Sequence, residues 1–181
     1  MINNRNWIAL FSQTGSEIVN ISKSLSVYPD LVITNKLKGS DDIHQDIEDN
    51  LYLPPKPNIQ DYRNIFNKLD NPIITLHGWM RIIPGEICND YDIYNLHPGL
   101  INMYPELKGK DPQRRVFDML KPPKYVGCVI HKAVEEVDAG KIILSDRLFN
   151  HYNTPNQLIT TLHEMACNMW CNFFTKQLYV K

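Results

Sequence analysis

Short apolar runs alternate along this chain with stretches of helical periodicity, which predicts strand and helix in turn. Trp7-Ile8-Ala9-Leu10-Phe11 is a β-prone run closed by Ser12-Gln13-Thr14-Gly15-Ser16. That pattern predicts a strand buried on both faces and leading into a tight loop. Ile18, Ile21 and Leu25 follow at helical spacing, so Glu17 to Leu25 reads as a helix with Ser16 as N-cap and Pro29 as its stop. Leu31 to Asn35 is a second short strand. Strand, helix and strand make a crossover that builds a parallel sheet.

The segment 36–57 carries Gly39-Ser40-Asp41-Asp42 and Pro54-Pro55-Lys56-Pro57, and reads either as a mobile loop or as one short polar helix over Asp41 to Asn50. Ile59, Tyr62, Ile65, Phe66 and Leu69 then have a helical period, stopped by Asp70-Asn71-Pro72. Pro72 to His77, Tyr94 to His97, Val126 to Val134 and Lys141 to Leu144 read as strands. Thr154 to Leu178 is a closing helix with Thr154 as N-cap and Pro155 at its first position. The whole pattern predicts one α/β domain over residues 1–181, with a mostly parallel central sheet flanked by helices.

Composition narrows the function classes. With 43% hydrophobic residues in 181, the chain can bury a core, which excludes general disorder. Nineteen basic against 20 acidic side chains lack the footprint of a nucleic-acid-coating protein, so no nucleic-acid partner is expected. No apolar run is long enough for a membrane helix, and the opening MINNRNW is too polar for a signal peptide. Cys88, Cys128, Cys167 and Cys171 form no CxxC pair and have no His at zinc-ligand spacing. They read as structural thiols of a cytoplasmic protein, with no metal expected.

In open parallel sheets ligands bind beyond the carboxyl ends of the strands. Three polar clusters fall there: Gln13 to Ser16, His77 to Arg81, and Asn95 with His97. Thr14-Gly15-Ser16 ahead of a helix is either an anion cradle or an ordinary capped turn, and Glu17 just inside that helix would repel a phosphate. Asn95 and His97 alternate on a strand and so point to one side, while Asp138 sits between two strands. A His beside a carboxylate can carry a proton, and an Asn amide can donate to a developing oxyanion. The set suits attack on an acyl carbon by a nucleophile that the substrate supplies. Lys108 to Arg115 reads as a solvated basic turn or as the rim of an entrance. His77 reads as a core or site-edge residue and His131, within an apolar strand, as a structural histidine; His44, His151 and His163 carry no usable pattern.

These residues, taken in order, resemble the folate-dependent formyltransferase family of glycinamide ribonucleotide transformylase and its relatives. Asn95-Leu96-His97-Pro98-Gly99-Leu100 with Tyr104-Pro105 and Leu107-Lys108-Gly109 resembles the family's N-[IV]-H-P-S-L-L-P-x-Y-x-G. Gly78 to Ile83 is similar to G-[FY]-M-R-I-L, Gly127 to His131 to G-T-S-V-H, Asp138 to Ile143 to D-x-G-x-I-[IL], and Ser12 to Ser16 to the first loop of the glycinamide enzyme. The resemblance implies a Rossmann-like domain that moves the formyl group of 10-formyltetrahydrofolate to a primary amine. It implies that Asn95 and His97 stabilise the oxyanion, and that Asp138 holds His97 and accepts, through water, the proton lost by the amine. Met80, Arg81, Ile82 and Ile83 would line the folate cleft, with Val137, Ala139 and Gly140 closing over it. Thr14, Gly15, Ser16, Glu17 and Glu164 would meet the acceptor.

The departures from the family pattern concern the acceptor. Gln13 and Glu17 stand where the glycinamide enzyme has Gly and Asn, Asp111 and Gln113 replace its two histidines, and Gly99 and Cys128 replace a Ser and a Thr. The resemblance therefore implies intact transfer chemistry with an altered anchor for the acceptor. Glycinamide ribonucleotide leads as acceptor, an amino-sugar nucleotide or another nucleotide amine is the alternative, and a non-catalytic folate- or nucleotide-binding relative is a third reading. A monomer or homodimer is expected, with the amine and the folate as its small-molecule partners.

Overall fold

The computed structural model describes residues 5–179; residues 1–4 of the polar opening segment lie outside them. Strand β1 (Trp7–Phe11) is buried along its whole length because both of its faces are covered. Trp7, Ala9 and Phe11 point to one side of the sheet, Ile8 and Leu10 to the other. On the first side the helices α1 (Ser16–Leu25) and α5 (Pro155–Tyr179) close a core around Trp7, Trp170, Phe173 and Phe174. On the second side α2 (Ile59–Phe66) and α3 (Gly85–Asp90) pack Tyr62, Phe66 and Ile87 over Ile8, Ile33 and Ile74.

The sheet has seven strands in the order β3-β2-β1-β4-β5-β6-β7, with β2 at Leu31–Thr34, β3 at Leu51–Tyr52, β4 at Ile73–His77, β5 at Asp92–His97, β6 at Tyr125–Lys132 and β7 at Ile142–Phe149. The first five are mutually parallel, and β6 and β7 run antiparallel at the edge. The chain moves outward from β1 through β2 and β3, then returns to add β4 on the other side. That reversal opens a crevice at the carboxyl ends of β1 and β4. Among the described residues no helix is long and apolar enough to cross a membrane.

Several local expectations are corrected. Helix α1 begins at Ser16, with Gly15 as N-cap at φ +76 and no side-chain cap, and it ends at Ser26 in the left-handed region rather than at Pro29. A Cβ on Gly15 would lie 2.3 Å from Ile47 Cδ1, so close packing as well as backbone conformation calls for glycine there. Residues 41–50 form turns, not a helix: His44 N–H donates to Thr14 O at 2.8 Å, and Ile43 and Ile47 pack against the core. Strand β7 runs five residues past Leu144, because the edge hairpin continues wherever β6 offers a partner. Helix α3 and the short helix α4 (Pro112–Asp118) have too few turns to show a periodicity.

The β6–β7 hairpin carries Asp138 in a loop that folds tightly back on the strand. A Cβ on Gly140 would lie 1.7 Å from the carbonyl oxygen of Lys132, a backbone atom that cannot yield without moving β6. Gly140→Ala is expected to destabilise the fold by about 1–3 kcal/mol, lowering the melting temperature by several degrees in a thermal scan. An unchanged melting temperature would mean that the loop relaxes freely.

Candidate active site

The three polar clusters expected at strand ends do open on one cleft of about 730 Å³. Thr14, Gly15, Ser16 and Glu17 form one wall, Met80 to Ile83 another, and Asn95, His97, Val137 and Asp138 lie between them. Asn95 and His97 sit two apart near the end of β5 and face the same side, as strand alternation requires. Asp138 reaches them because the β6–β7 loop turns at this residue with φ +53, a conformation that Asp tolerates better than most side chains.

Asp138 is the hub of the site. Its Oδ2 accepts the backbone N–H of Gly109 at 2.8 Å and lies 3.1 Å from His97 Nδ1, and its Oδ1 lies 3.2 Å from His131 Nε2. His97 Nε2 meets the carbonyl of Leu107 at 2.9 Å, so both of its nitrogens are engaged by oxygen atoms of the protein. Burial alone would raise the Asp138 carboxyl, but its contacts with His131, His97 and the Gly109 N–H together hold it below the ordinary carboxylate range. Burial lowers the pKa of His97, against the opposing pull of Asp138 and the Leu107 carbonyl. The centre thus holds a carboxylate kept ionised beside an imidazole whose two nitrogens both face acceptors.

His131 belongs to this centre, although its sequence setting reads as structural. It sits opposite Asn95 in the β5–β6 register, and Asn95 Nδ2 lies 3.2 Å from His131 Nε2. Only the antiparallel pairing brings the two together, and a periodicity has no means of signalling it.

At the other wall Glu17 turns inward. Its Oε1 accepts from Trp170 Nε1 at 3.0 Å and from His77 Nδ1 at 2.6 Å. His77 Nε2 lies 2.8 Å from Thr75 Oγ1, which also accepts from Trp7 Nε1 at 2.8 Å. His77 is therefore both a core residue and a site-edge residue. The loop after β4 is tied in as well: Ser12 N–H donates to Gly78 O, and Met80 N–H donates to Ser12 Oγ at 2.9 Å. Arg81 leans away toward Pro55 O, leaving Met80 and Ile82 exposed as an apolar rim beside Val137.

Three of the expected site residues lie elsewhere. Glu164 is on a separate shallow depression with His151 and Gln157, and it is His163 on the same helix that borders the cleft, since adjacent helical positions point about 100° apart. Ala139 and Gly140 are outside the cleft lining, because the chain after Asp138 turns back toward Lys132. Lys110, Asp111 and Arg114 prove to be rim residues, while Arg115 braces the turn through the carbonyls of Glu106 and Lys108. The thiols take no part: burial pushes Cys88 up to about 11, Cys167 up to about 12 and Cys128 well above its usual value.

Comparison with known proteins agrees with this geometry. The chain is 39% identical over 85 residues to a phosphoribosylglycinamide formyltransferase of Dictyostelium discoideum, a match covering 42% of this chain and 40% of that protein. The structure of glycinamide ribonucleotide transformylase 1 from Geobacillus kaustophilus superposes with a TM-score of 0.79 over 96% of this chain and 98% of that one, at 18% identity. The phosphoribosylglycinamide formyltransferase of Anaplasma phagocytophilum superposes with a TM-score of 0.76 over 93% and 84%, at 24% identity. At such identities the likeness to the two structures is one of fold. The pattern of the formyl transferase family matches residues 9–170, from β1 into α5, and the chain belongs to that family.

Proposed function

We propose that this protein is an N-formyltransferase that moves the formyl group of 10-formyltetrahydrofolate to the primary amine of a small acceptor of the glycinamide ribonucleotide type. The observation that carries this reading is the convergence of Asn95, His97 and Asp138 on one cleft, with no protein nucleophile beside them. Transfer needs three things from the chain. The carbonyl oxygen must be stabilised as it becomes an oxyanion, the attacking amine must lose a proton, and the leaving nitrogen must gain one.

Asn95 supplies the amide hydrogen that meets the oxyanion. His97 stands beside it at the oxyanion, held by Asp138 and the Leu107 carbonyl, and Asp138 takes up, through a water, the proton that the amine loses. Return of that proton from Asp138 to the departing nitrogen completes the cycle. The exposed Met80 and Ile82 with Val137 would receive the pterin ring, and the Thr14–Glu17 wall would receive the acceptor.

Glu17 supports a second reading of the acceptor. Its carboxylate lies in the first turn of α1, where a phosphate would otherwise be favoured by the helix dipole. An amine that presents hydroxyls there, such as an amino-sugar nucleotide with its phosphates directed elsewhere, would suit this wall better.

Two variants separate the parts of the reading. Asp138→Asn is expected to keep folate affinity within a few-fold while formyl transfer falls by about two orders of magnitude, read as tetrahydrofolate release by absorbance. Near-normal turnover would remove Asp138 from the mechanism. Glu17→Gln keeps an oxygen for Trp170 and His77 but removes the charge. With glycinamide ribonucleotide as acceptor, KM should fall by roughly 3- to 10-fold with kcat little changed. A higher KM would mean that the Glu17 carboxylate itself contacts the acceptor.

A further inference from the structure

His131 shares Asp138 with His97 and faces Asn95 across the β5–β6 pair. His131 Nδ1 lies 3.0 Å from the carbonyl oxygen of Lys132, which can only accept, so Nδ1 carries the hydrogen. In a neutral ring Nε2 is then a bare lone pair. Two groups face it at 3.2 Å: the amide Nδ2 of Asn95, a donor, and Oδ1 of Asp138, an acceptor. A bare Nε2 pairs with Asn95. A protonated Nε2 pairs with Asp138 and would force Asn95 to turn its carbonyl oxygen toward the ring.

The protonation of His131 and the orientation of the Asn95 amide are therefore one variable. When Nε2 is bare, one amide hydrogen of Asn95 is committed to His131 and the nitrogen is pinned in place. The second hydrogen on that nitrogen is left for the cleft. When Nε2 is protonated, the nitrogen swings away and the cleft loses its donor. The other ionisable groups acting here are His97 from β5 and, through His97, Arg115 from α4. His97 competes for the same carboxylate, since both imidazoles reach Asp138.

We infer that His131 is a positioning residue for the formyl transfer proposed above: in its neutral form, with hydrogen on Nδ1, it holds the Asn95 amide nitrogen as the donor to the oxyanion. This rests on the transferase reading for its consequence, but the pairing itself is a property of the free protein. His131 touches no reacting atom. It acts through Asn95, so its loss affects kcat rather than the binding of either substrate.

The test joins two substitutions with a spectroscopic measurement. In His131→Gln the new amide accepts from Asn95 through its oxygen and donates to Asp138 through its nitrogen, and it does not titrate. Its kcat should stay within about fivefold of wild type. In His131→Met, of similar bulk but without an acceptor, kcat should fall by about 100-fold while KM for the formyl donor changes by less than about threefold. Nitrogen-15 NMR of histidine-labelled protein, with the His131 signals identified by their absence in His131→Gln, should find hydrogen on Nδ1 and a bare Nε2 at neutral pH. Hydrogen on Nε2 in the neutral protein, or a His131→Met kcat within about twofold of wild type, would overturn the inference. Absence of turnover in the wild-type protein together with the expected tautomer would overturn the transferase reading alone, because the nitrogen shifts are read without substrate.

Discussion

One buried carboxylate holds the centre of this molecule together. Asp138 is 9% exposed, and it meets groups from three separate parts of the chain: His97 on β5, His131 on β6 and the backbone N–H of Gly109 in the turn before α4. An ionised carboxylate without these partners would be expensive to bury at this depth. The requirement acts in both directions. The partners keep Asp138 charged, and the charge draws the edge hairpin, the parallel sheet and the Leu107–Gly109 turn into one geometry. Local cost is accepted for it, since Asp138 takes up a left-handed backbone conformation at φ +53.

A second polar chain does the same for the far wall. Glu17, His77, Thr75 and the indoles of Trp7 and Trp170 form a continuous set of hydrogen bonds from the cleft into the core. It links the start of α1, the end of β4 and the middle of α5. The Thr14–Glu17 wall is therefore anchored to the most deeply buried aromatic cluster of the fold, where Trp7 and Phe174 lie 4.5 Å apart and Trp170 stacks on Phe174 at 5.9 Å. A charge that in sequence reads only as a repulsive neighbour for phosphate is, in the folded chain, satisfied by the interior. The cleft consequently joins a buried carboxylate centre at Asp138 to a wall whose charge is held inward.

The strands and long helices were legible in the sequence because burial imposes a period on them. Trp7 to Phe11 is apolar at every position since helices cover both faces, and α5 repeats Leu158, Leu162, Met165, Met169 and Phe173 along the stripe that meets the sheet. Asn95 and His97 were legible for a related reason: a separation of two on a strand places both side chains on one side. The turns of 41–50 were misread because polar periodicity does not distinguish a short helix from a segment pinned by Ile43, Ile47 and one backbone bond to Thr14. Glu164 lies off the cleft that His163 borders, because one helical position is enough to turn a side chain to a different part of the surface.

The amino-acid sequence by itself determined the order of the elements, the depth of β1 and β4, and the types of residue available for proton transfer at the strand ends. All of these follow from local periodicity and from the short reach of a side chain along its own element. Tertiary structure alone decided that β6 runs antiparallel beside β5, and with it that His131 faces Asn95 and shares Asp138 with His97. It also decided that Glu17 turns toward His77 and Trp170. Glu17 is 60 residues from His77 and 153 from Trp170 along the chain, and His131 is 36 from Asn95. Contacts at such separations depend on strand register and helix docking, which are set by the packing of the whole sheet and leave no mark in the local pattern.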